Sequence, residues 1–344
     1  MVSSFRGSVD DWLGQILPAD LYMRVEGAGL SLDAGAQAGL AATPGVARAQ
    51  FLRTIPVRMA PDRPAVALIA RSAADLGSTL PLVSGKGLDP GVRDLQVWVS
   101  EPYARIYNRR VGDRIDLPVG PQGVIRARIA GIWRDYSRQH GSIIIDSGDY
   151  QRLTGDTGRT EAAFDFAPGA PPETVLSRLR AGLPPAIAGR ITFAQAKDLR
   201  LIALSIFDRS FAVTYLLEAV AILVGLAGVA ATISAQTLAR SKEFGMLRHV
   251  GVLRGQIIAM LAAEGALLGL VGGLAGVGLG LIMSQVLIHV INPQSFHWTM
   301  QTRLPWPLFS GVGVALIVAS AGAALLAGRR ALSADAVRAV REDW

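Results

Sequence analysis

The sequence predicts a membrane protein with an α+β extracytoplasmic domain, built from split β-α-β units with a β-rich insert. An α-helical transmembrane domain of three spans with a long stalk helix follows. Three observations predict this. The apolar runs Phe211–Ala239, Ile257–Ile291 and Pro307–Ala327 all fall in residues 206–344, and each is long enough to cross a ~30 Å hydrocarbon core. Residues 1–205 alternate short apolar stretches with Gly, Pro and Asp punctuation, as a soluble domain does. Lys and Arg crowd two of the segments flanking the spans and leave the third nearly bare.

Composition agrees with that split. The 344 residues are 51% apolar and 18% charged, with a mean hydropathy of +0.36, too apolar for an ordinary soluble chain and too charged for a wholly membrane one. The net charge of +7 comes without a basic patch interleaved with aromatics, so no nucleic-acid partner is expected. The absence of cysteine excludes disulfides, thiolate metal sites and cysteine nucleophiles. Met1–Asp11 lacks the apolar core of a signal peptide.

In chain order, Phe5, Val9 and Trp12 fall at near-helical spacing and predict an opening amphipathic stalk helix over residues 1–18. The extracytoplasmic domain then occupies 19–195. Leu21–Val25 reads as a strand, Leu32–Ala42 as a short helix, and Val46–Met59 and Ala65–Arg71 as strands joined by a proline turn. Leu76–Asp94 reads as loop. The β-rich insert, about 96–150, opens with the strand Gln96–Ser100 and a helix Glu101–Arg109 that Ser100 can cap. A strand from Val111 pairs with Val124–Trp133 across Gly120–Gly123, and Ser142–Asp146 adds another. Ala162–Phe166, Pro172–Ala181 and Arg190–Phe193 complete a second strand-helix-strand set.

Chemistry is sparse in this domain. Ser84-Gly85-Lys86-Gly87 carries the Gly-Lys of a phosphate loop, but Leu80 and Gly87 stand where that motif needs Gly and Ser or Thr, so a plain loop is expected. Asp146, Asp149 and Asp156 fit turn or cap roles better than a cation loop. His140, His249, His289 and His297 have no ligand spacing, so no metal site and no catalytic residues are expected. Trp133-Arg134-Asp135-Tyr136 reads as a strand end or a contact surface.

Residues 196–239 predict a stalk and first span. Through Lys242 one helix would run about 70 Å at ~1.5 Å per residue, over twice the hydrocarbon thickness. Its charged start carries Leu199, Ile202, Ala203 and Ile206 on one stripe, for which Phe5, Val9 and Trp12 offer a partner. Glu218 lies inside the span near its outer end, and Glu264 lies near the inner boundary of the second span, 255–291. That second span needs tilt or a bend, with Gly272-Gly273 the natural bend point. Gly265/Gly269/Gly273 and Gly272/Gly276/Gly280 form two ladders for close helix packing. An outer loop, 292–305, places His297 and Trp298 in an interfacial belt, and a third span, 306–328, leads to a cytoplasmic tail, 329–344. Arg240, Lys242, Arg248 and Arg254 lie between the first two spans; Arg329, Arg330, Arg338 and Arg341 lie in the tail; the loop between spans two and three carries only Arg303. Hence the segment 240–254 and the C-terminus are expected in the cytoplasm and residues 1–205 outside an inner (plasma) membrane. Export of that domain calls for a membrane segment ahead of Met1.

The run ARSKEFGMLRHVGVLRGQIIAMLAAEGALLGLVGG resembles the signature of the FtsX-like permease family, the membrane subunits of MacB- and LolC/LolE-type ABC transporters. VWVSEPYARIYNRRVGDRIDL, VIRARIAGIWRDY and GSIIID are similar to the insert of the family's periplasmic core domain. The family's coupling-helix positions fall here on Arg240, Glu243, Phe244, Gly245, Leu247, Arg248 and Gly251, followed by Glu264 and Gly265. The family's usual first span is missing before Met1, and the three-span unit corresponds to the C-terminal half of larger, duplicated members. The resemblance implies a non-catalytic permease subunit of the mechanotransmission type, exporting or extracting a lipid-like, lipoprotein or other hydrophobic substrate. It implies no cofactor in this chain, with ATP and Mg2+ in a partner ABC-type ATPase. Its other implied partners are a second homologous permease half or homodimer, membrane lipid and a periplasmic protein. The alternative is an FtsX-type transmembrane signal transmitter that activates a cell-wall hydrolase.

Overall fold

The period-two apolar patterns of the first two hundred residues fold into one ten-stranded mixed sheet. The computed structural model describes residues 2–27, 29–72, 80–92, 94–120 and 123–331. They form two units: Ser4–Phe207 with Ile288–Gln301, and residues 2–3 with Asp208–Leu287 and the described chain from Thr302.

In the first unit the strands are β1 (Leu21–Val25), β2 (Val46–Val57), β3 (Val66–Arg71), β4 (Leu82–Gly85), β5 (Gln96–Ser100), β6 (Arg114–Pro118), β7 (Val124–Trp133), β8 (Ser142–Asp146), β9 (Glu161–Phe166) and β10 (Ile191–Gln195). Their order is β10-β1-β9-β2-β3-β8-β5-β7-β4, with β6 on β7. Long β2 joins the lobes: Val46–Leu52 pairs with β9, and Arg53–Val57 pairs with β3. The insert is therefore continuous with the rest of the sheet, a non-local pairing that local pattern does not reveal. Among the described strands only β3/β8 and β5/β7 are parallel.

Alternation divides the two faces. On the insert side Val66, Leu68, Val97, Val99, Ile143 and Ile145 form one core, while Ile69, Trp98 and Ile144 point to the opposite cluster with Trp133 and Leu80. In the other lobe Leu21, Met23 and Phe164 pack with Leu40 of helix α2 (Ala34–Ala41) and with Val175 and Leu179 of α5 (Pro172–Ala181). Helices α3 (Glu101–Ile106) and α4 (Ser147–Thr154) lie between these in the chain, and α6 (Pro185–Ala188) precedes β10. The opening helix α1 (Val2–Ile16) buries Ser4, Ser8, Trp12 and Leu13.

Several expectations need correction here. The segment 76–94, expected as loop, contains β4; residues 76–79 and 93 lie outside the described ones. Ser84 and Gly85 are strand residues, with the Lys86 carbonyl accepting from Trp98 Nε1 at 2.9 Å. Gly85 has φ +88°, and a Cβ there would strike the Ala130 carbonyl, so close strand approach explains this glycine. The turn residues 121–122 and the tail 332–344 lie outside the described residues.

Helix α7 (Ala196–Ala239) runs 44 residues without a break, about 66 Å at ~1.5 Å per residue. It is followed by α8 (Ser241–His249), α9 (Arg254–Val286), a π turn at Leu287–Ile291, α10 (Asn292–Phe296) and α11 (Trp306–Ala331). Helical structure continues through Gly272-Gly273, and the irregularity falls instead at the π turn. Ala196–Ala239, Arg254–Phe296 and Trp306–Arg329 are long and apolar enough to cross a membrane.

Candidate functional site

The short helix α8 is held at one buried residue, Phe244, while Glu243, Met246 and Leu247 are exposed. Phe244, the apolar residue of its Glu-Phe-Gly run, is fully buried against Ile233, Ile257, Leu261, Ala323 and Ala324. Arg240, in the turn between α7 and α8, straddles two acids. Its Nε donates to Glu243 at 3.1 Å and its Nη1 donates to both oxygens of Glu264, at 3.0 and 3.3 Å. Arg240 also lies 5.7 Å from the Phe244 ring centroid. One guanidinium thus ties the short helix to α9.

Gly251 ends this segment at φ +99°, a conformation that favours glycine. Its N–H bonds the Arg248 carbonyl, and the Val252 N–H bonds Leu247. The Gln256 side chain accepts from the Leu253 N–H at 3.0 Å and so caps the start of α9. Outward from this frame, Met246 is 66% exposed, Val250 84% and Leu253 68%. Leu247 and Glu243 are exposed, and Gly245 and Arg248 half-buried. An exposed apolar knob on a pinned charged helix is a surface that a soluble partner could grip. The motif pattern named the frame, but Met246, Val250 and Leu253 escaped it; an apolar residue at each successive turn was the available signal.

The two glycine ladders part company. A Cβ at Gly265 would lie 2.7 Å from the Ser320 carbonyl, and one at Gly269 would lie 2.8 Å from Ser320 Oγ, so these two glycines permit the contact between α9 and α11. Gly273 has only ordinary contact with Leu316. A methyl group added at Gly272, Gly276 or Gly280 would meet nothing within 4 Å among the described residues. These three instead line an apolar groove of about 630 Å³ with Glu218, Phe309 and Leu316.

The stalk pairing follows its expectation in part. Leu199 and Ala203 line a cleft with Trp12, Leu13 and Ile16, and Phe207 meets Phe5 with ring centroids 4.9 Å apart. Ile202 and Ile206 are exposed, and Val9 is half-buried. The helix presents positions 199, 203 and 207, so Phe207 takes the place expected of Ile202 and Ile206. Asp10 and Arg200 add an ion pair at 2.7 Å.

Trp298 also departs from the expected interfacial belt. It is 3% exposed, stacks on Phe5 at 4.8 Å and meets Tyr136 edge-on at 4.7 Å. Asn292 Nδ2 donates to its carbonyl at 2.9 Å. His297 takes φ +63° at the end of α10. Asp146, Asp149 and Asp156 serve locally, Asp146 capping α4 and Asp156 binding Arg53. Among the described residues no group of His, Cys, Asp and Glu is arranged to hold a metal.

One family model covers this segment. Residues 215–336 match the family model of the FtsX-like permease C-terminal domain. The chain is 27% identical over 367 residues to an uncharacterised ABC transporter permease of Mycobacterium tuberculosis, covering 99% of this chain and 41% of that protein. It is 24% identical over 189 residues to an uncharacterised ABC transporter permease of Methanocaldococcus jannaschii, covering 54% of this chain and 47% of that one. The chain thus spans less than half the length of the curated relatives it matches. Among solved structures, the periplasmic region of MacB from Actinobacillus actinomycetemcomitans is 11% identical, with a TM-score of 0.41 over 56% of this chain and 95% of that one. Residues 215–336, which hold the pinned helix and both glycine ladders, are thus similar to the C-terminal domain of FtsX-like permeases.

Proposed function

We propose that this chain is the permease part of an ABC transporter of the mechanotransmission type. The observation that carries the reading is the helix Ser241–His249, locked by buried Phe244 and bridging Arg240 while Met246, Val250 and Leu253 stay exposed. A cytoplasmic ABC-type ATPase grips that knob, and its ATP-driven closure moves the helix. Arg240, bonded to both Glu243 and Glu264, ties the helix to α9 so that the two move together. The unbroken helix Ala196–Ala239 transmits it. The extracytoplasmic domain then works on a lipid-like or other hydrophobic substrate, with residues 1–205 outside the inner membrane and 240–254 and the C-terminus inside it. ATP and Mg2+ belong to the partner, and a second permease half or a second copy completes the assembly.

The test is co-purification from native membranes of the full-length protein beside a Met246→Asp/Val250→Asp variant. An ABC ATPase that accompanies the native protein and is lost from the variant supports the reading. An extracytoplasmic hydrolase recovered in place of a transported substrate would favour the FtsX-type signalling role. No ATPase with either protein overturns the permease mechanism.

A further inference from the structure

We infer that the cleft between the opening helix and the sheet binds an uncharged long-chain ester, its tail on an apolar wall and its carbonyl at unpaired donors. The cleft lies within the first unit and has a volume of about 550 Å³. That falls within the range of roughly 300–1,000 Å³ typical of small-molecule sites. Helix α1 contributes Leu13 and Ile16, and the start of α7 contributes Leu199. Ile69 and Ile144 come from the sheet, with Leu80 from the segment ahead of β4. A wall of this kind suits a hydrocarbon chain and offers little to a sugar or nucleotide.

The polar groups of the cleft select the head. Its charges are already engaged within the chain. Arg24 pairs with Glu161 at 3.4 Å and Arg138 with Asp135 at 3.3 Å, while Arg71 has an interaction of its own. Glu26 accepts from the Thr192 hydroxyl at 2.8 Å. A charged head would leave water for this wall without a free counter-ion, which is costly. What the cleft lacks is an acceptor. Trp133 lines it, is 4% exposed, and its buried Nε1–H has no partner among the described residues. Trp12, the other indole of the lining, is satisfied by the Arg134 carbonyl at 2.8 Å. The Tyr22 oxygen accepts from the Ala19 N–H at 3.0 Å, which leaves its own proton to donate. Burial pushes that phenol up to about 12, so the proton is present at neutral pH. An indole N–H can only donate, and a buried donor left unpaired is costly, so a ligand carbonyl removes a penalty that a plain hydrocarbon leaves. An ester brings acceptors alone, whereas an amide or alcohol adds a donor that needs its own partner.

The inference names the chemistry of a hydrophobic ligand and rests on the permease reading only for that ligand's fate. Its test measures binding itself, so loss of the ATPase partner and failure of this site are separate results. The full chain in lipid nanodiscs is irradiated with methyl palmitate carrying a mid-chain diazirine, and labelled peptides are mapped. Saturable labelling at Leu13, Leu80 and Ile144 is expected, competed by plain methyl palmitate and cut about tenfold by Ala203→Trp, equivalent to ~1.4 kcal/mol. Trp133→Phe should weaken labelling by the ester about fivefold, the scale of one neutral hydrogen bond, and spare labelling by the matching diazirine hydrocarbon. Palmitate and palmitylamine should both compete less well than the ester. Labelling confined to the membrane spans, or cleft labelling that plain methyl palmitate does not compete, overturns the site. Competition by either charged amphiphile as strong as that by the ester overturns the uncharged head. Equal labelling by ester and hydrocarbon, with no effect of Trp133→Phe, overturns the carbonyl contact. Melting curves show whether each variant folds, and the competition arm needs no variant at all.

Discussion

Glu101 accepts a 2.7 Å hydrogen bond from the Thr299 hydroxyl across 198 residues of chain. The same carboxylate lies 3.4 Å from the Thr299 N–H and 3.5 Å from Arg134 Nε. Tyr136, its phenol pushed up to about 12 by burial, donates to the Thr299 carbonyl at 3.0 Å. Ser8 Oγ accepts from the Gln301 N–H at 3.2 Å. With Trp298 between Phe5 and Tyr136, the segment Ile288–Gln301 is stitched into the sheet domain. In sequence that segment joins α9 to α11, and the chain also leaves this domain through α7.

The loop therefore depends on a few deep contacts. Thr299→Val should lower the stability of its docking by about 1.5–3 kcal/mol, because a buried carboxylate loses its donor. Trp298→Ala should cost about 3–5 kcal/mol through the cavity it leaves. The double variant should cost less than the sum, since the residues share partners. Hydrogen exchange at Ile288–Gln301 reads all three, and unchanged protection in Trp298→Ala would refute the docking.

Phe244→Ala and Met246→Asp separate the frame of α8 from its outer surface. Phe244→Ala empties a fully buried site and should cost about 3–5 kcal/mol, seen as a lower melting temperature. Met246→Asp changes an exposed position and should shift stability by no more than about 0.5 kcal/mol. Recovery of an ATPase should fall in both variants. Melting that drops equally in both would show that Met246 is structural rather than a docking residue.

The glycine ladders make opposite predictions on one helix. Gly265→Val and Gly269→Val place a branched side chain where even a Cβ meets Ser320 within 3 Å, and should cost about 1–3 kcal/mol from overpacking. Gly276→Ala meets open space and should be neutral or slightly stabilising through helix propensity, by ~1 kcal/mol at most. Thermal melts in detergent distinguish the two ladders. A large loss from Gly276→Ala would mean that this face is packed in the assembled protein.

Periodicity made most of the strands and all three spans legible, because each is a local statement about alternating or continuous apolar residues. The ionic frame around α8 was legible for the same reason: Arg240, Glu243, Phe244 and Glu264 lie within 24 residues of one another. Partnership over longer separations was not. Nothing in β2 announces that its two halves pair with different strands, and nothing in Trp298-Thr299 points to Glu101 and Tyr136. The stalk stripe was legible in part. Leu199 and Ala203 face α1, but only the position of that helix decides that Phe207, and not Ile202 or Ile206, completes the contact.

Asp156 sets an acid limit on the sheet domain. Burial would raise its carboxyl, but the Gly158 N–H at 2.8 Å, the Tyr150 hydroxyl at 3.0 Å and the Arg53 guanidinium at 2.9 Å outweigh that and hold it below the usual 3.8. A depressed carboxyl in the folded state means that the unfolded chain binds the proton more readily. Its contribution to stability is therefore fully present above about pH 4, near the unfolded value, and is lost as pH falls through the lower folded value. Asp156→Asn should remove that part of the acid-side slope and lower stability at neutral pH, where three donors face a weaker acceptor. Arg53→Met should remove less of the slope, because Gly158 and Tyr150 still favour the carboxylate. Tryptophan-fluorescence melts from about pH 7 down to about pH 3 measure both across the carboxylate range. An acid limb in Asp156→Asn as steep as in the native protein would assign the acid sensitivity to other carboxylates.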